Sequence, residues 1–431
     1  MSPRCIAEPE AFGLHTKEPE MSMKSEANPQ AADARWRVLA ILSLAIVLSM
    51  TTWFSATAII EELKATWAID GSAAAWLTNA VQIGFVVGAL GSSLLNIPDI
   101  VAARWLMAIS ACLAAAANLA LLVAPSGETA IALRFVTGVA LAGIYPPALK
   151  VISTWFLHGR GLALGIVIGA LTIGSAFPHL LRAVTSGLNW QLVVAATSVM
   201  TLIGALLMAR FAIEGPHRYA RATFDPRQIG RVLRNRPVML ANIGYFGHMW
   251  ELYAMWGWFL AFAQAALAHH NVDTSYGSMI TFVVVASGVV GCVLGGVMAD
   301  RMGRTATTAL MMVVSGLCAL LIGFAFDAPL WVFITIAIIW GISVIGDSAQ
   351  FSAIVTEIGE SSSVGTALAL QLGLGFALTV VAIRIVPEIA NALGSWQWTF
   401  LVLVPGPFIG VIAMMMLRRM PEAVQIAHGR K

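Results

Sequence analysis

The stretch GGVMADRMGR (295–304) decides how this chain is read. Up to Ala299 it continues an apolar run, and then Asp300, Arg301 and Arg304 crowd around Gly303. A charge at the centre of a bilayer costs about 2.5–3.5 kcal/mol on insertion scales, so hydrocarbon ends where such a cluster begins. The rest of the sequence agrees with a chain that leaves a membrane here. Its 431 residues are 59% hydrophobic and 11% charged, with mean hydropathy +0.83. Soluble domains carry about 25% charged residues, so the composition is that of an integral membrane protein. A formal charge of +3 is too small to suggest nucleic acid as a partner. Cys5, Cys112, Cys292 and Cys318 form no C-x-x-C pair and suit neither a disulfide framework nor a metal site.

Crossing a bilayer as helix takes about 20 apolar residues. Such runs fall at 37–59, 73–95, 105–123, 129–153, 161–182, 190–212, 238–262, 275–299, 305–325, 330–355, 364–386 and 397–417. Of 25 Lys and Arg, all but Lys64, Arg134, Arg182 and Arg384 lie on segments or helix ends that share a side with the N-terminus. The positive-inside rule makes that side cytoplasmic, with both termini on it. The densest basic block, from Arg210 to Arg236, divides the chain at its midpoint. The halves echo each other: GLNWQLVV (187–194) recurs as GSWQWTFL (394–401), and NIPDIVAAR (96–104) corresponds to ADRMGR (299–304). The expected fold is all-α, with twelve transmembrane helices in two pseudo-symmetric six-helix bundles. The expected organisation is a disordered cytoplasmic tail (1–35) without the apolar core of a signal peptide, then bundles at 36–213 and 237–418. A basic linker (214–236) joins the bundles, and a short tail (419–431) follows.

Gly296, Asp300, Arg301, Gly303 and Arg304 complete the pattern G-x-x-x-D-R-x-G-R, which resembles the loop motif of the major facilitator superfamily. RFVTG (134–138) and STWFLHGRGLALG (153–165) are also similar to segments of that superfamily. The resemblance covers about residues 36–418. It implies a two-lobed carrier whose spans 1, 4, 7 and 10 line a central cavity, with spans 2 and 11, and 5 and 8, meeting between the lobes. The chain departs from the family in two places. The first-half loop keeps only Asn96, Asp99 and Arg104, and span 5 lacks the adjacent Gly-Pro of drug/proton antiporters. Asp300, Arg301, Gly303, Arg304 and Glu357 are assigned to a conformational latch, with Asp300 facing the start of span 11 at 361–365.

Ionisable groups within spans are functional candidates by default. His248 and Glu251 stand one turn apart in FGHMWELYAMWGW (246–258), where helical spacing puts them on a face with Met255 and Trp258. On span 10, Trp340, Ser343, Asp347 and Gln350 share a face by the same spacing. Glu251, Asp347, His248 and Arg134 are the proton-coupling candidates. Arg134 is read either as a structural strut paired with a carboxylate, or as a group that gates a proton-binding carboxylate or meets an anionic substrate. Trp53, Thr57, Tyr145, Tyr245, Trp258, Trp340, Ser343 and Gln350 are candidates for the cavity lining.

The sequence therefore points to a monomeric secondary carrier in the inner (plasma) membrane, working by alternating access without a cofactor. Its partners are the lipid bilayer, a small solute and H⁺. Arg134 opposite two acids favours uptake of a small organic anion with protons. The alternative is proton-coupled efflux of a lipophilic or aromatic compound, suggested by the aromatics of span 7. No nucleophile–base set, metal cluster or P-loop argues for an enzyme or for ATP-driven transport. A non-transporting sensor built on a carrier fold is the remaining class.

Overall fold

The computed structural model describes residues 29–156, 159–185, 189–217, 225–360 and 362–431. The segment up to residue 28 and linker residues 218–224, with Arg218 and Arg221, lie outside the described residues. Twelve long helical stretches follow in order. They are α1 (Pro29–Met50), α2 (Gly71–Leu94), α3 (Ala103–Val123), α4 (Gly127–Ser153), α5 (Arg160–Val184) and α6 (Gln191–Phe211). The second half supplies α7 (Arg236–His269), α8 (Tyr276–Met302), α9 (Arg304–Ala325), α10 (Leu330–Ile358), α11 (Val364–Leu393) and α12 (Thr399–Arg418). Among the described residues, ten of them, from α2 to α6 and α8 to α12, are long and apolar enough to cross a membrane. Helix α1 starts seven residues earlier than the boundary placed at residue 36. Side chains hold several starts: Asp70 accepts from Ala73 N–H at 2.7 Å, and Asn235 accepts from Val238 N–H at 3.2 Å just before Pro237.

Three helices are interrupted, each for a local reason. Helix α1 stops at Met50 and runs through turns over 51–56. There Thr51, Thr52 and Ser55 turn their hydroxyls onto carbonyls three residues back, at 2.8, 3.1 and 3.1 Å, in competition with the helical ladder. Helix α4 breaks between Leu141 and Tyr145, where Pro146 and Pro147 lack the N–H that would continue it. Helix α10 breaks at Asp347, after Gly346.

The first six helices pack into one lobe and the last six into another. The lobes meet along two seams, α2 against α11 and α5 against α8. Glycine is used differently within lobes and between them. A Cβ on Gly88 would lie 2.6 Å from the Val139 carbonyl oxygen, and Gly84 and Gly138 admit the facing backbone of α4 and α2 just as closely. Gly291, Gly295 and Gly341 do the same for α8 and α10. Across the seams the approach is looser. A Cβ on Gly296 would come no nearer than 3.6 Å to Gly161, one on Gly373 no nearer than 3.3 Å to Leu90, and one on Gly165 would lie 3.0 Å from the Cys292 carbonyl oxygen. The helices are locked by glycine within each lobe, where lipid is as apolar as leucine and close packing must hold them. Where glycines lie between the lobes, the contact is slacker.

The outer faces of α3, α6, α9 and α12 carry exposed Ile109, Leu113, Leu206, Leu321, Phe324 and Ile412, the surface a bilayer covers. Trp36, Trp105 and Trp331 are exposed at helix ends, where indoles favour the membrane–water interface. Cys112 is exposed, unlike buried Cys292 and Cys318.

Candidate functional site

Arg134 is fully buried. Its guanidinium is committed to the break in α1: Nη1 donates to Thr52 O at 2.8 Å and Ser55 Oγ at 3.1 Å, and Nη2 to Trp53 O. Nε reaches Leu77 O of α2 at 3.3 Å, and Nη1 also lies 3.4 Å from Asn118 Oδ1 of α3. A rigid fork of five donors suits a cluster of carbonyls that an unwound helix leaves without partners. Among the described residues, the contacts of the Arg134 guanidinium are mainly backbone oxygens, and the carboxylate partner of the strut reading is not among them.

The acidic groups gather inside the second lobe. Glu251 accepts from Trp340 Nε1 of α10 at 2.7 Å and from Ser315 Oγ of α9 at 2.9 Å. His248 Nδ1 lies 2.8 Å from Asp347 Oδ1. This is an ion-pair distance without the alignment of a hydrogen bond, since the same oxygen has no hydrogen-bond partner. His248 thus pairs with Asp347, where the spacing had suggested Glu251. Asp347 sits at the break in α10, which takes it off the straight stripe drawn through Trp340, Ser343 and Gln350. The stripe disperses accordingly. Trp340 turns into the lobe, Ser343 bonds back to Ile339 O at 2.8 Å, and Gln350 accepts from Arg304 Nη1 at 2.8 Å.

The face of α7 that meets the other lobe is a different one from the face of Glu251. Tyr253 stacks on Trp53 with centroids 5.7 Å apart, and Trp256 meets Phe54 edge-on at 6.2 Å. Phe376 of α11 lies 4.5 Å from Phe85 of α2, which in turn lies 5.0 Å from Trp53. Six rings from both lobes therefore close the middle of the molecule. Tyr245 packs against His248 and Phe351 and beside Gly375, and Thr57 bonds Thr78 at 2.8 Å. Trp258 donates to Ile383 O of α11 at 2.8 Å, and Tyr145 opens the second segment of α4.

Among these rings lie polar atoms without partners. Both ends of the Asn79 and Gln82 carboxamides and the indole N–H of Trp53 and of Trp256 are buried and unbonded. On the α2 wheel, Asn79 and Gln82 fall between Phe85 and Thr78 on one side and Ser72 and Leu90 on the other. All four flanking residues touch, or would touch, the second lobe. Sequence reading passed over Tyr253, Phe376, Asn79 and Gln82. The adjacent amide-bearing turns in an otherwise apolar α2 were the signal available.

At the end of the bundles that carries the linker, Arg304 grips Glu357 through Nε at 3.0 Å and Nη2 at 2.8 Å. Ala427 N–H adds a further bond to Glu357 at 3.0 Å. Gly303 takes φ +91°, and the Arg430 and Lys431 carbonyls fill the place of a Cβ. Asp300 faces the other lobe at the start of α5, where a Cβ on Gly161 would lie 3.8 Å from its Oδ1. Part of the expected position, at 361–365, lies outside the described residues, and Arg301 lies exposed. The linker docks on α11, with Asp225 N–H bonding Thr366 Oγ1 at 2.9 Å. At the opposite end a cavity of about 160 Å³ opens between the lobes beside Glu62, Arg182, Gln264 and Ser278. Nearby, Arg384 of α11 bonds Ser72 of α2 at 2.9 Å.

The comparisons with known proteins follow the fold. Residues 42–270, a little over half the chain, match the model of the Major Facilitator Superfamily. The MFS-type transporter pytF of Aspergillus terreus is 30% identical over 173 residues, 39% of this chain and 55% of that protein. A probable sulfoacetate transporter, SauU of Cupriavidus necator, is 25% identical over 40% of this chain and 43% of its own length. An agnestins efflux protein of Paecilomyces divaricatus is 26% identical over 43% and 42%. The chain spans about half the length of these relatives or less. A solved structure of a point mutant of the nucleoside transporter NupG superposes with TM-score 0.68 at 15% identity, covering 88% of this chain and 99% of that one. The match of the family model and the two-lobed fold lead to one assignment: the chain belongs to the Major Facilitator Superfamily, a family of membrane transporters.

Proposed function

We propose that the chain is a proton-coupled secondary carrier of a small organic solute, acting as a monomer in the plasma membrane with the linker face cytoplasmic. The observation that carries this reading is the buried group of Glu251, His248 and Asp347. Its acidic oxygens are met by an indole, a hydroxyl and an imidazole, all of them able to remain neutral. A carboxylate so placed in a membrane lobe is costly when ionised, and binding a proton removes that cost. Coupling follows if rocking of the lobes changes the water access of this group. The latch of Asp300, Arg301, Gly303, Arg304 and Glu357 would bias that rocking, as Asp300 adjoins the other lobe.

Of the two cargoes considered, the aromatic closure between the lobes supports a lipophilic or aromatic solute. Arg134 lends little to an anion, because its donors are engaged by α1, α2 and α3. The similarity to an efflux protein points the same way. Uptake of a small organic anion is the second reading, favoured by the similarity to a protein named as a sulfoacetate transporter. The efflux reading implies proton antiport and the anion reading symport.

The test is a reconstituted vesicle assay with a pH gradient. Glu251→Gln and Asp347→Asn are each expected to reduce gradient-driven accumulation at least tenfold while exchange without a gradient persists. Full accumulation in both variants would reject proton coupling through this group.

A further inference from the structure

The carrier reading leaves the chemistry of the cargo open, and the unpartnered atoms at the lobe interface narrow it. This step rests on that reading only in assuming that cargo passes between the lobes. A buried polar group without a partner costs about 1–3 kcal/mol, so a cluster of them in a packed membrane protein calls for an occupant. Asn79 and Gln82 are both fully buried, and each leaves a carbonyl oxygen and an amide nitrogen unbonded. They stand one turn apart on the arc of α2 that faces the second lobe. One turn further on the same helix is Phe85, against Trp53 and Phe376. Two unbonded atoms belong to the rings beside them, Trp53 Nε1 and Trp256 Nε1, and both are donors only.

A side-chain carboxamide carries a donor and an acceptor side by side, and it pairs at two points with an edge that offers the complementary pair, as Asn and Gln do with adenine. The indole N–H groups add donors for an acceptor elsewhere on the same molecule. Flat rings from both lobes supply stacking faces, with Trp53 and Tyr253 inclined by only 24°. A fixed charge finds no free counter-ion in the set, because Arg134 is engaged by the α1 break. We infer that the interface between the lobes recognises an uncharged, planar heteroaromatic molecule bearing an amide or lactam edge. Asn79 and Gln82 read that edge, and the Trp53, Tyr253 and Phe376 rings hold its face.

Nicotinamide and nicotinate test this directly, since they share a ring and differ in amide against carboxylate; hypoxanthine supplies a lactam. The full chain in vesicles is assayed by counterflow of labelled compound at equal pH on both sides, a readout independent of proton coupling. Nicotinamide or hypoxanthine is expected to exchange, and nicotinate at least tenfold less. Asn79→Leu and Gln82→Leu should each lower that exchange at least tenfold. Their melting temperatures in detergent should hold or rise, because an unpaired amide has been replaced by an apolar group. Trp53→Phe keeps the ring, removes one donor, and should weaken exchange with folding intact. Exchange of nicotinate equal to that of nicotinamide overturns the inference, as does no exchange of either neutral probe. Unchanged exchange in both leucine variants, or a lowered melting temperature in them, overturns it as well. If counterflow behaves as expected while Glu251→Gln leaves gradient-driven accumulation intact, only the proton-coupling reading falls.

Discussion

At the residue scale, two buried ionisable side chains look alike in sequence and take different surroundings. Arg134 reads as a charge inside span 4, and its burial among carbonyls makes it a member of the α1 scaffold. Arg134→Ala would leave the Trp53 carbonyl unpaired in a dry interior, at about 1–3 kcal/mol, and would strip the Thr52 and Leu77 carbonyls of their second donor. The expected outcome is loss of the monodisperse folded protein in fluorescence-detected size exclusion. Arg134→Lys is expected to recover only some of the folded protein, since an ammonium cannot reproduce the fork. Recovery of full stability by Lys would argue that one point charge suffices there. Glu251 is accessible to the same logic from the opposite side. Its partners on α9 and α10 are neutral, so Glu251→Gln should fold and differ in coupling more than in melting temperature.

At the element scale, helix pairs within a lobe differ from pairs between lobes. Gly291 admits the Ile342 carbonyl of α10 so closely that any Cβ must displace backbone. Gly291→Ala should therefore lower stability by about 1–3 kcal/mol through overpacking. Gly296→Ala, with its nearest neighbour at 3.6 Å across the α5–α8 seam, should melt within experimental error of the parent. Thermal melts of the two variants side by side check the contrast, and equal effects would remove the distinction between rigid lobes and slack seam. Helix α7 shows where element-level reading from sequence runs out. Spacing drew His248, Glu251, Met255 and Trp258 as one stripe, yet Glu251 meets α9 and α10, His248 meets α10, Trp258 bonds Ile383 O of α11, and Tyr245, Met249 and Tyr253 face the other lobe or α11. Periodicity gives relative angles around a helix, and only neighbours fix the absolute rotation. On α10, the break at Asp347 cancels even the relative angles.

At the scale of the whole molecule, the α2–α11 seam is joined near both ends. Arg384 bonds Ser72 at one, and Leu90 packs against Gly373 towards the other, where the linker docks on α11. Alternation between lobes must open the seam at a single end at a time. Ser72→Cys and Arg384→Cys, joined by a reducible thiol-reactive cross-linker that spans the reach of the arginine, should stop counterflow, and a reductant should restore it. Undiminished exchange in the cross-linked double variant would mean that this seam does not open during transport. The sequence by itself determined the membrane environment, the all-α class, the runs that become long helices and the charged loop motif at 295–304. Those features rest on composition, run length and local motif, which are properties of consecutive residues. It also located the buried acids and the proline break in α4. Only the tertiary structure decided what each acid touches, that Arg134 serves the α1 break, and that Asn79 and Gln82 lie unbonded among rings from both lobes. Partners of that kind come from helices far apart in the chain, brought together by close glycine packing that spacing along one helix does not encode.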